Sequence, residues 1–184
     1  AYLHDAYIHL PGDRGKLLCN ADSLREVIAG LNGLGIPVHV HAIGDAATTA
    51  VLDAIEAAGQ KMKGEQARNK ITHLQLVRKE DIKRFRLLGV AALPQPYWFV
   101  KDSYYYNLQV PYLGLPRADY EYPMKSFFDA GVITASSSDY PVTIPCNPMT
   151  AIETGVTRLM ENRTEPDSVL WAEERVSVEQ MVQS

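Results

Sequence analysis

Apolar residues along this chain fall into two alternating periods. Between Ala21 and Leu34, positions Leu24, Val27, Ile28, Leu31 and Leu34 recur every three or four residues, which predicts a helix with Asn20 or Asp22 as its cap and Gly33 and Gly35 as its stop. The short β-branched run IPVHVHAI, Ile36 to Ile43, then predicts a strand. After it the spacing returns to helical: Ala47, Ala50, Val51, Ala54 and Ile55 form a stripe that opens at Asp45, a predicted N-cap, and closes at Gly59. The unit then recurs. A second strand is expected over Ile71 to Val77, a helix over Lys79 to Leu88 closed by Gly89, a third strand from Val90, a helix over about 123–130, a fourth strand from Val132 and a helix over about 148–160. The last residues, RVSVEQMVQS, read as the start of one more helix.

Strand and helix in alternation imply an α/β fold in which a parallel sheet carries its helices outside. One stretch breaks the pattern. From Gln95 to Arg117 the chain is rich in aromatics and proline and shows no clear period. Structureless loops of that length are uncommon in compact domains, so it is either a functional flap or a packing flap over the sheet rim.

The alternation also gives three polar residues equivalent places. His41 lies near the end of the first strand, His73 within the second and Asp139 at the end of the fourth, at roughly one and two lengths of a βα unit of about 30 residues. In a parallel barrel the C-terminal strand ends form one face, where catalytic groups collect. Two neutral imidazoles and a carboxylate there suit a divalent metal, zinc above all, with a position left for water. Asp139 would orient that water or take its proton. Each residue has a plainer reading: a strand histidine is usually a satisfied core residue, and Asp139 could simply shape a turn before Pro141. His39 faces the same side as His41 but one layer deeper, so His41 is the preferred ligand. The serines at 136–138 lack the G-x-S-x-G context of a nucleophile elbow.

Composition narrows the remaining classes. With 184 residues, 46% hydrophobic and 22% charged, the chain matches an ordinary globular domain. A net charge of -4 with scattered Lys and Arg argues against a nucleic-acid partner, and no apolar run is long enough for a membrane span or laid out as a secretory signal. Two distant cysteines, Cys19 and Cys146, make no disulfide framework, which favours a reducing, cytoplasmic setting. The absence of an initiator Met and the unfinished final helix lead us to expect that residues 1–184 are a fragment of a larger domain.

Three runs, HVHAIGDAATTAVLDAIE, ITHLQLVRKEDIKRFRLLGVAALPQP and MKSFFDAGVITASSSDYPVTIPCNPMTAIETGVTR, resemble the amidohydrolase branch that contains N-substituted formamide deformylases. The resemblance implies a distorted TIM barrel. Its metal site takes an H-x-H on strand 1, a lysine, often carboxylated, on strand 4, one histidine on each of strands 5 and 6, and an aspartate on strand 8. On that pattern HAIGD places the strand 5 histidine at His41, ITHLQ the strand 6 histidine at His73, and SSDYP the strand 8 aspartate at Asp139. The strand 1 and strand 4 ligands have no counterpart here, so the expectation is a partial (β/α)8 barrel, strands 5 to 8 with their helices, lacking strands 1 to 4 and the small β-domain.

The function this implies is metal-dependent hydrolysis of carbon–nitrogen bonds in a small amide- or formamide-like molecule. Asp139 would move the proton, and Arg117, Tyr97 and Trp98 would be substrate contacts; the isolated segment is expected to be inactive. The rival is a non-catalytic fragment or interaction domain with His41 and His73 as core residues. Because a sheet cut from a closed barrel exposes its edges, a homodimer through those edges is also expected.

Overall fold

The computed structural model describes residues 1–59, 68–144 and 146–184. Its first helix, α1, spans Ala21–Gly33, and of the two candidate caps the Asn20 side chain serves, accepting from the backbone N–H groups of Asp22 and Ser23. The apolar stripe faces the core only in part: Ile28 is buried, whereas Val27 and Leu34 point to solvent.

Three short parallel strands follow in the order β1 (His39–Ala42), β2 (Lys70–His73) and β3 (Ala91–Pro94). All are shorter than their apolar runs suggest. At β2 the cause is local: His73 and Leu74 adopt left-handed φ values of 74° and 56°, which turn the chain out of the ladder after a last bond from Leu74 N–H to the Ala42 carbonyl. The register pairs His41 with Thr72 and Ala42 with His73, then Thr72 with Leu93 and His73 with Pro94. The expected fourth strand is reduced to a single parallel bridge between Ala92 and Thr134, continued by a bond from Ser137 N–H to the Pro94 carbonyl.

Helix α2 (Asp45–Ala58) follows β1, and α3 (Lys79–Leu88) follows β2. Asp45 is the first residue of α2, not its cap. Gly44 caps it at φ 103°, where an added Cβ would lie 2.3 Å from the Tyr2 carbonyl oxygen. The Asp45 carboxylate instead accepts from the backbone N–H groups of His4 and Ala46. At the opposite end of the sheet, Asn32 and Asn69 exchange amide hydrogen bonds of 3.1 and 2.7 Å while Asn69 also accepts from Val38 N–H, tying α1 to the starts of β1 and β2.

The segment from Gln95 to Arg117 is not structureless. It contains a 3₁₀ turn at Pro96–Trp98, a π-turn at Tyr105–Gln109 and helix α4 (Val110–Leu113). Then come α5 (Met124–Asp129), α6 (Pro148–Thr157) and α7 (Val178–Gln183), the last with the Ser177/Gln180 capping box. Helix α6 ends before residue 160 because Arg158 turns left-handed, φ 55°, and enters the core.

Two clusters hold these layers. Val51, Leu52, Ile55, Ile71, Phe85 and Phe127 pack between the sheet and its helices, each fully buried large side chain contributing about 1.5–3 kcal/mol. Leu3, Phe99, Tyr105, Tyr122, Leu170 and Met181 form the second. Among the described residues no helix is long and apolar enough to cross a membrane.

Candidate metal centre at the strand ends

The parallel register brings the C-terminal ends of β1, β2 and β3 to one edge, and His41 and His73 meet there. His41 Nδ1 lies 2.7 Å from His73 Nε2, with ring centroids 4.7 Å apart. Their sequence positions are one strand residue out of step, because Ala42, not His41, pairs with His73. The left-handed backbone at His73 closes that gap. Such a conformation costs of order 1–3 kcal/mol in a non-glycine residue and persists only where its surroundings impose it.

Those surroundings are polar and aromatic. His73 is 5% exposed and its Nδ1 lies 3.2 Å from Oε1 of Gln95. Trp98 stacks on its ring at 5.5 Å and 7°, while the indole N–H donates to Thr143 Oγ1 at 3.1 Å. Burial lowers the His73 pKa first, and the neighbouring His41 lowers it further, against an upward pull from Asp139 and the Gln95 bond. A neutral imidazole keeps the lone pair that a metal ion needs. His39 stacks on His41 at 5.8 Å and points to solvent, with its own pKa lowered by burial, by His41 and by Lys70.

Asp139 is half-buried at φ 56° and near enough to His73 to act on its titration. Its backbone carbonyl accepts from Val142 N–H, so the turn before Pro141 is real, but the main chain makes it. The carboxylate takes no hydrogen bond among the described residues. The expected triad is therefore assembled only in part: two imidazoles converge, and among the described residues no group of three His, Cys, Asp or Glu is disposed to hold an ion. The donors fit a divalent metal in kind, and His41 with His73 supply part of a set.

Of the three residues expected to contact substrate, one packs on this pair. Trp98 forms one wall of it; Tyr97 is its half-buried neighbour, its phenol pKa raised by burial and then by Cys146. Arg117 is elsewhere. Its guanidinium donates to the carbonyls of Leu113, Asp5 and Ala6, and it lines a cavity of about 320 Å³ with Asp45, Leu76, Arg78 and Tyr120. Sequence reasoning gave Gln95 no role, although its place one residue past a strand end put it on the same edge.

Comparison with known proteins speaks to the family and the fold. Residues 1–184 match the model of the amidohydrolase family. An uncharacterised metal-dependent hydrolase from Pyrococcus furiosus is 32% identical, with a TM-score of 0.76 over 99% of this chain and 34% of its own. A second, from Pyrococcus horikoshii, superposes with a TM-score of 0.80 at 24% identity, covering 99% of this chain and 35% of its own, and supports the fold alone. The Arabidopsis thaliana protein LONG AFTER FAR-RED 3 is 29% identical over 160 residues, 86% of this chain and 27% of that protein. The chain thus spans about a third or less of the length of these relatives.

Proposed function

This chain belongs to the amidohydrolase family, and from that premise we propose that it carries part of the active site of a metal-dependent hydrolase of non-peptide carbon–nitrogen bonds, amide- or formamide-like. The observation that carries the reading is the meeting of His41 Nδ1 and His73 Nε2 at 2.7 Å, held by a left-handed backbone at a strand end. On this reading the sheet of β1, β2 and β3, with the bridge at Thr134, is the strand 5 to 8 part of a (β/α)8 barrel.

His41 and His73 would hold the ion, zinc by preference for their nitrogen donors. When bound, it supplies Lewis acidity, polarising the substrate carbonyl and lowering the pKa of a water to about 7. Asp139 has a carboxylate free of hydrogen bonds among the described residues, and it accepts the proton of the attacking water and returns it to the leaving nitrogen. The face of Trp98 beside His73 excludes water and seats the apolar part of a substrate, with Tyr97 next to it. Arg117 would reach a substrate only from the cavity it shares with Arg78. The 184 residues alone are expected to bind metal weakly and to turn over little or nothing.

The test uses the full-length protein with a panel of N-substituted formamides and simple amides. Chelator-sensitive hydrolysis is expected, with His73→Ala losing bound metal and at least 10²-fold in kcat/KM. A His73→Ala protein that keeps metal and activity overturns the assignment and favours the rival, in which the two histidines only fill the core.

A further inference from the structure

We propose that Gln95 is the positioning residue of the histidine pair, fixing which nitrogen of His73 carries its proton and anchoring the segment that leads to Asp139. Gln95 is 1% exposed, and its side-chain nitrogen lies 2.7 Å from Thr72 Oγ1, 2.7 Å from Ser137 Oγ and 3.2 Å from the Leu93 carbonyl. A carbonyl can only accept, so the amide nitrogen must face Leu93. Thr72 gives its own hydroxyl hydrogen to that carbonyl at 2.9 Å, so its oxygen accepts from Gln95. With the nitrogen placed, Oε1 faces His73 Nδ1.

That oxygen can only accept as well. His73 therefore carries its proton on Nδ1, and the lone pair of the neutral ring sits on Nε2, the atom that faces His41. The Trp98 ring, nearly parallel to the imidazole, restrains its rotation. The same carboxamide reaches Ser137, two residues before Asp139, and so links the end of β2 to the strand-end segment bearing the carboxylate. Gln95 acts through its neighbours and touches neither ion nor substrate. Partners of this kind that orient a ligating histidine typically account for 10–100-fold in metal affinity.

The proposal rests on the metal-site reading, and its test separates the two. In the ¹⁵N-histidine-labelled full-length protein, long-range ¹H–¹⁵N correlations are expected to show His73 protonated at Nδ1, with and without zinc. Zinc affinity, measured by competition with a chromophoric chelator, should fall about 10–100-fold in Gln95→Met, with loss of the single Nδ1–H tautomer. Gln95→Glu keeps an acceptor for Nδ1 and should restore the tautomer and much of the affinity. Protonation of wild-type His73 at Nε2, or a Gln95→Met protein with unchanged tautomer and affinity, overturns the proposal. If Gln95→Met fails to fold, the wild-type spectrum decides alone. Failure of the metal-site reading looks different: zinc affinity would then be unchanged in His73→Ala, whatever tautomer the wild type shows.

Discussion

Glu121 is fully buried, with one carboxyl oxygen accepting from the Gln75 amide at 2.8 Å and the other without a hydrogen-bond partner among the described residues. Burial, followed at a distance by the charges of Asp102 and Asp119, raises its pKa from 4.5 to about 8, against the lowering effects of Gln75 and Arg158. The folded state thus holds this proton more tightly than the unfolded state. Its contribution is complete below about pH 4.5 and is lost as pH rises through about 8, a change on the order of 5 kcal/mol. Glu121→Gln should flatten the dependence of melting temperature on pH across that window; an unchanged slope would assign it to other groups. The neighbouring Arg158 is also fully buried, its guanidinium donating to the carbonyls of Leu170, Tyr122, Glu174 and Glu121, with its pKa lowered by burial to about 10. Arg158→Met would leave four carbonyls short of a donor and should cost about 3–5 kcal/mol in denaturant unfolding.

At the scale of elements, the junction of β1 and α2 is tightly constrained. Gly44 turns there at φ 103° against the Tyr2 carbonyl, which in turn accepts from Ala47 N–H. Gly44→Ala is expected to destabilise by more than 1 kcal/mol through the backbone alone and to displace His41 at the end of β1; a neutral melting curve would contradict this. The alternation of strand and helix was legible in the sequence because period and glycine stops are local signals, and α3 was expected over the residues it occupies. Strand lengths were not legible, since the left-handed turn at His73 and Leu74 depends on packing around the imidazole. The helical turns between Gln95 and Arg117 were hidden for a similar reason: Tyr105 and Leu113 are apolar anchors of the second cluster, and a π-turn leaves no regular period to read. His41 and His73 could be paired from repeat spacing, while Gln95 and Ser137 were missed because a neutral amide and a serine at a strand end carry no distinctive pattern.

At the scale of the molecule, β1 pairs only with β2 among the described strands, so its outer edge, with the exposed His39 and His41 beside it, has no strand partner there, and just beyond it the Ile43 carbonyl accepts from Tyr2 N–H. Unpaired edges of this kind recruit other strands. The 184-residue chain by itself is therefore expected to self-associate through β1 in light scattering at high concentration, and a strict monomer would count against edge pairing. The central claim concerns the C-terminal end of the same strand, where His41 and the neighbouring His73 of β2 are proposed to share one cation. An anomalous difference map at the zinc edge, from crystals of the zinc-loaded full-length protein, tests it most directly. A peak about 2.0–2.1 Å from both His41 Nδ1 and His73 Nε2 is the predicted result; zinc bound elsewhere, with these two nitrogens still hydrogen-bonded to each other, would contradict it.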